Sequence, residues 1–314
     1  MPDQPTKPAP APPAAPQDDD DLRGYYFGQL VRSPATQMVT MALAVAAGIG
    51  LAIAAGPAVG GIAALAVILI ALIVCFSMAS KRAASAFYAN YAASRGLTYN
   101  GSRGSLPPVS ELLRKGDRRY TDRSLTGALP AGPNGVLAHF TYEEESTDSE
   151  GNRETSYYHW TVVYCELPQL APFVQELVCH HRSGFRFMDS AEDKFRKRQR
   201  VELESETFDK RYESFCGQHD DMNRVRQVYE PSFIVWLAES APKGFEWDVV
   251  AGVLVCSIKG QADSTAELDA MCAAAGVVAK RLFDEAGELL PPASEAPTAP
   301  PVASEAPAVP PAAG

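Results

Sequence analysis

Residues 33–80 read SPATQMVTMALAVAAGIGLAIAAGPAVGGIAALAVILIALIVCFSMAS, with no Asp, Glu, Lys or Arg among them. Bilayer hydrocarbon strongly penalises charge, so a charge-free run of this length marks a membrane segment. It is too long for one crossing, which takes ~20 residues. Gly56-Pro57-Ala58-Val59-Gly60-Gly61 interrupts it with the strongest helix breakers. Two transmembrane helices follow, over residues 38–55 and 58–77, joined as a hairpin. A secretory signal peptide fits poorly, because the run starts late, is far too long, and follows the acidic Asp18-Asp19-Asp20-Asp21.

Flanking charge sets the topology. Arg23 and Arg32 precede the run, Lys81 and Arg82 follow it, and the hairpin tip carries no charge. Basic flanks stay in the cytoplasm. The expectation is a multi-pass protein of the cell (inner) membrane with both termini cytoplasmic. Gly48, Ala52 and Gly56 form a small-xxx-small ridge, suited to packing on the second crossing or to a homo-oligomer seam. No ionisable group lies in the spans, so they read as an anchor in the lipid bilayer rather than a conduit.

The ends of the chain differ from its middle. Residues 1–32 are acidic and Pro/Ala-rich, and residues 291–314 are Pro/Ala-rich, with Ala-Ser-Glu-Ala-Pro at 293–297 and again at 303–307. Such segments bury too little apolar surface to offset chain entropy, so both are expected to be disordered. Pro-rich tails either space or dock a partner. The net charge of −10 argues against generic nucleic-acid binding. Of the six cysteines, no two form a Cys-x-x-Cys pair, and neither a disulfide framework nor a zinc site is expected.

Residues 81–290 are long enough for one core and read as a cytoplasmic α+β domain. Lys81 to Arg95 predicts a helix with Phe87, Tyr88 and Tyr91 on one side, stopped by Gly96. Ser110 opens a short capped helix carrying Leu112 and Leu113. Val136 to Glu144 and Ser156 to Cys165 alternate as the two arms of a β-hairpin, with Phe140, Tyr142, Trp160 and Val162 on one face. Val201 to Cys216 reads as extended. Pro231 opens a helix bearing Phe233, Trp236 and Leu237. Phe245-Trp247-Val249 and Gly252 to Ile258 predict a second hairpin. Ser264-x-x-Glu267 is a capping box before the stripe Leu268, Met271, Cys272, Ala275, Val278, Leu282.

Groups that could carry chemistry are few. His139 and His159 fall on the second face of the first hairpin, and a loop centred near Ser149 sets them opposite one another. Cys179-His180-His181 point to alternating faces if they lie on a strand, and so do not converge on an ion. Lys194, Arg196, Lys197, Arg198 and Arg200 offer a basic run, either an anionic-lipid contact or a solvated face. His219 with Asp220 and Asp221 is the one His/carboxylate cluster, and reads equally as a helix cap. No Gly-rich phosphate loop, nucleophile elbow or metalloprotease motif occurs, and no metal or cofactor is implied.

Glu204-Ser205-Glu206-Thr207-Phe208-Asp209-Lys210-Arg211-Tyr212, the acidic start at Asp220-Asp221, and Pro231-Ser232-Phe233-Ile234-Val235-Trp236-Leu237 with the hairpin after it carry a resemblance. Together with the helical hairpin at 38–77, they resemble an uncharacterised bacterial family with two N-terminal transmembrane helices and a cytoplasmic α+β domain of unknown function. That resemblance implies an architecture and no catalytic residues. The expected role is a membrane-anchored binding or scaffold domain with a protein partner. The alternatives are a membrane-tethered, hydrolase-like enzyme using His139, His159 or His219 with carboxylates or Cys165, and an anionic-lipid surface sensor.

Overall fold

The computed structural model describes residues 19–147, 151–182 and 198–287. Three helices open the chain: α1 (Asp19–Arg32), α2 (Pro34–Ala55) and α3 (Pro57–Arg95). Pro34 and Pro57 each stand at the first helical position, where a missing N–H costs nothing. The break between α2 and α3 is a single residue, Gly56, at φ +99°, a conformation that L side chains rarely adopt. The turn is thus tighter than the six-residue breaker segment implied, because Pro57 starts a helix instead of ending one. Residues 36–54 and the apolar part of α3 are long and apolar enough to cross a membrane. Their large side chains point outward, with Ile62 72% exposed.

Residues 19–32 were expected within an unstructured tail, but form α1, which packs along α3. Tyr26 reaches the domain core, and Phe27 meets Phe76 edge to face at 5.9 Å. Aromatic burial against a preformed helix outweighs the polar composition of the segment around it. Residues 1–18 of the first expected tail and all of the second, 291–314, lie outside the described residues, as do 288–290 at the end of the expected domain.

α3 runs on past the apolar block for four further turns. It buries Ala83, Phe87, Tyr88, Tyr91 and Ala92 in the domain and stops at Gly96, which is left-handed at φ +68°. Beyond it the chain is α+β. Among the described residues, nine strands form one sheet, antiparallel at every pairing: β1 (Thr98–Asn100), β2 (Arg118–Ala128), β3 (Asn134–Thr147), β4 (Arg153–Glu166), β5 (Glu176–His181), β6 (Arg198–Arg200), β7 (Tyr212–Gly217), β8 (Glu246–Val250) and β9 (Val253–Lys259). Their spatial order is β1-β2-β3-β4-β9-β8-β5-β7-β6. The two expected hairpins therefore share a sheet, joined where β4 pairs β9 from Trp160↔Lys259 to Glu166↔Val253. Ala251 and Gly252, both at positive φ, make the two-residue turn of the β8–β9 hairpin.

The helices are α4 (Glu111–Arg114), α5 (Glu206–Arg211), α6 (Met222–Val228), α7 (Pro231–Glu239) and α8 (Thr265–Gly287). Val201 to Cys216, expected to be extended, is interrupted by α5, because Ser205 accepts from the Phe208 N–H and caps a turn. α8 follows the predicted stripe, with Leu268, Met271, Cys272, Ala275, Val278 and Leu282 all buried. Its capping Ser264 accepts from Glu267 N at 3.2 Å.

Strand alternation divides the sheet into two faces. Leu125, Leu137, Val163, Leu177, Trp247 and Leu254 face α3 and α5–α8 in the main core. Phe140, Tyr142, Trp160, Val162 and Val255 face Leu112 and Leu113 of α4 in a smaller one. α3 and α8 are also tied by charge. Arg95 donates from Nε to Asp269 Oδ1 at 2.9 Å and from Nη2 to Oδ2 at 2.5 Å, while the Tyr91 hydroxyl donates to Oδ1 at 2.8 Å. Burial and this hydrogen bond both hold the Tyr91 hydroxyl protonated.

α8 lies flush on the β2–β3 turn at Gly276, where an added Cβ would collide with the Ala131 carbonyl. Gly276→Ala is therefore expected to destabilise the chain by about 2–3 kcal/mol, since backbone and not a flexible side chain must move. A denaturant titration of the purified protein measures this; an unchanged midpoint contradicts the close approach.

Candidate functional site

Among the described residues, two polar groups that contain histidine lie one on each face of the sheet. On the helix-covered face, β3 pairs β4 so that His139 stands opposite Thr161 and His159 opposite Thr141. The histidines are diagonal neighbours and not the directly opposed pair that a loop near Ser149 implied. The ladder continues to Thr147↔Arg153, which centres the connection one position later.

Their environments differ. His139 is 2% exposed. Its Nε2 lies 3.1 Å from both the Tyr88 hydroxyl and the Ala262 carbonyl, and the Tyr88 hydroxyl also donates to that carbonyl. Burial pushes His139 down to about 3, and the Arg123 guanidinium and His159 push the same way. His139 is a neutral core residue that joins α3 to the β9–α8 loop. His159 is exposed, its Nδ1 2.9 Å from Thr141 Oγ1, which donates to Asp122 Oδ2 at 2.7 Å. Asp122 is available because the β2 ladder bulges between Thr121 and Arg123.

The opposite face carries a cluster not singled out as a site from the sequence. Cys179 points into the core beside Trp247, while His180 points the other way, as strand alternation requires. His180 Nε2 lies 3.0 Å from Asp248 Oδ1. Burial works against the imidazolium, but the Asp248 carboxylate overrides it, with Glu246 and Glu111 adding to the effect, and His180 rises to about 9. Burial raises Glu246 in turn. The available signal was the alternation of Glu246 and Asp248 between Phe245, Trp247 and Val249, which puts two carboxylates on the face opposite the core.

Arg198 stands nearby, 10% exposed, donating to Glu176 Oε1 at 2.6 Å and Glu111 Oε2 at 3.1 Å. Its guanidinium locks β6 to β5 and α4 and is not free for lipid headgroups. Arg200 is exposed at the end of β6. Lys194, Arg196 and Lys197 lie outside the described residues.

His219 is exposed. Asp220 accepts from the N–H groups of Gln175, Glu176 and Gly217, and Asp221 caps α6. This pair thus clamps backbone. Cys165 is buried and pushed up to about 12. The structure does not bring His139, His219 and Cys165 together, and all six cysteines are free. Among the described residues, no group of three His, Cys, Asp or Glu is placed to hold a metal ion. Gly48 and Ala52 line an apolar groove of about 790 Å³ between α2 and α3, with Gly61, Ala64 and Ile68 opposite.

No family model and no curated protein matches the chain. Among solved structures, the crystal structure of the mycobacterial trehalose monomycolate transport factor A is similar over 66% of this chain and 95% of its own, at 12% identity and a TM-score of 0.37. A likeness of that degree assigns neither a fold nor a role.

The His180–Asp248 pair makes a definite pH prediction. A folded-state value raised above the ordinary ~6.5 adds stability that is complete below that pH and lost as pH rises through about 9. The His180 ring resonances are expected to titrate near 9, and Asp248→Asn to lower the midpoint by roughly one unit or more. An NMR titration reads both; a His180 midpoint near ~6.5 contradicts the pairing.

Proposed function

We propose that the chain is a multi-pass membrane protein whose sheet domain stands on the cytoplasmic side and acts by binding a protein partner, as a scaffold or regulator. The observation that carries this reading is α3. One unbroken helix runs from the apolar hairpin into the domain core, where Phe87, Tyr88 and Tyr91 are buried. A domain on so stiff a stem is held at a set distance and orientation from the bilayer, as suits a partner in the same membrane. The charge-free spans and basic flanks support an anchor with both ends inside. The groups that chemistry would require support binding over catalysis, since His139 is neutral and buried, Cys165 is kept protonated and Arg198 is already paired. On the same plan, we place the chain with the membrane-anchored bacterial family that it resembles.

Two measurements test this. A reporter fused after Gly314 that works only in the cytoplasm is expected to be active, and activity of an outside-only reporter instead overturns the topology. Photo-crosslinkers at the exposed positions Tyr157, Val235 and Arg200 of the full-length protein are expected to trap a discrete protein in cells from at least one of the three. Adducts with lipid alone at all three contradict the binding role.

A further inference from the structure

The groove between α7 and α8 is matched by the chain's own C-terminal sequence. Phe233 and Trp236 on α7 and Val277 on α8 form its apolar floor, and Glu230, Lys280 and Asp284 stand at its rim, enclosing about 340 Å³. The Phe233 and Trp236 rings stack at 5.7 Å with planes 12° apart. Trp160 and Trp247 are buried, so Trp236 is the indole that shows surface. Val235 and Val277 leave further apolar surface beside it.

α8 is one wall of this groove and ends at Gly287, within a turn of Asp284. The sequence that follows contains two copies of one pattern, Ala-Ser-Glu-Ala-Pro-x-x-Pro-Pro, at 293–301 and 303–311. Each holds a Pro-x-x-Pro unit, Pro297 with Pro300 and Pro307 with Pro310, and a glutamate two residues ahead of it, Glu295 or Glu305. Pro-x-x-Pro segments dock on aromatic grooves because little backbone entropy remains to be lost. Reach is sufficient: Val277 lies ~15 Å back along the helix from Gly287, at ~1.5 Å per residue. A proline-rich strand covers that in five or six residues at ~3.1 Å each. Tethering makes the local concentration millimolar, so a weak contact is enough. At the rim Arg281 is already paired with Glu230 and Glu285, while Lys280 is 80% exposed and its pairing with Asp284 is a solvated one of little worth, so Lys280 is the cation open to Glu295.

We propose that residues 291–301 dock in cis in the α7–α8 groove, covering Trp236. This does not depend on the partner-binding role above. The test compares the full-length protein in lipid nanodiscs with a chain ending after Gly287, reading acrylamide quenching of Trp fluorescence. The Trp236→Phe variant of each supplies the background from the two buried indoles. Removal of 288–314 is expected to roughly double the quenching attributable to Trp236. The fourfold change Pro297→Ala, Pro300→Ala, Pro307→Ala, Pro310→Ala is expected to do the same without shortening the chain. A synthetic 288–314 peptide is expected to restore protection only at high concentration. Equal quenching of Trp236 with and without the tail overturns the proposal. Protection in the intact chain that disappears on diluting the nanodiscs also overturns it, by showing docking between copies.

Discussion

One helix carries two kinds of surface. The first part of α3 exposes Ile62, Leu65 and Ile70 along a run long and apolar enough to cross a membrane. Its last four turns bury Phe87, Tyr88 and Tyr91 against the sheet, where each aromatic contributes on the order of 2 kcal/mol. Nothing in between breaks the hydrogen-bond ladder until Gly96. The rest of the molecule is arranged around that rod. α2 returns along its apolar half, α1 lines the junction, and the sheet and α8 pack on its polar-domain half.

The domain's polar groups mainly hold this arrangement together. Tyr88, His139 and the Ala262 carbonyl join α3, β3 and the loop before α8, while Arg95, Tyr91 and Asp269 join α3 to α8 itself. Asp220 gathers three backbone N–H groups at one end of β5 and β7. Arg198 bridges two carboxylates across the sheet's edge. His180 with Asp248 and Glu246 differs, being a partly exposed charged group on the thinly covered face. It is the place where protonation and surface chemistry meet.

Much of this was legible where burial follows a simple period. The α8 stripe, its Ser264 cap, the hairpin of Phe245 to Ile258 and the Gly96 stop are local patterns, and each appears where the residues put it. β2 was not legible: Arg118, Arg119, Asp122 and Arg123 break the apolar alternation, and the bulge at Asp122 shifts its phase. α5 was hidden because Phe208 and Tyr212 read as strand positions until Ser205 is seen to cap a helical turn. The His139–His159 register was off by two residues, with the turn centre off by one, since a turn's centre depends on how far the flanking ladder zips.

The amino-acid sequence by itself determined the two long apolar helices, because a charge-free run and its Gly56-Pro57 break are properties of each residue and its immediate neighbours. It also determined the α+β character of residues 81–290 and the main amphipathic elements, because periodicity is a local property. Only the tertiary structure decided that both hairpins belong to one sheet through β4 and β9, that α1 docks on α3, and which histidines are neutral or charged. Those outcomes depend on neighbours distant in the chain. Asp248 lies far along the sequence from His180, and it is their meeting across β5 and β8 that outweighs burial and holds the charge.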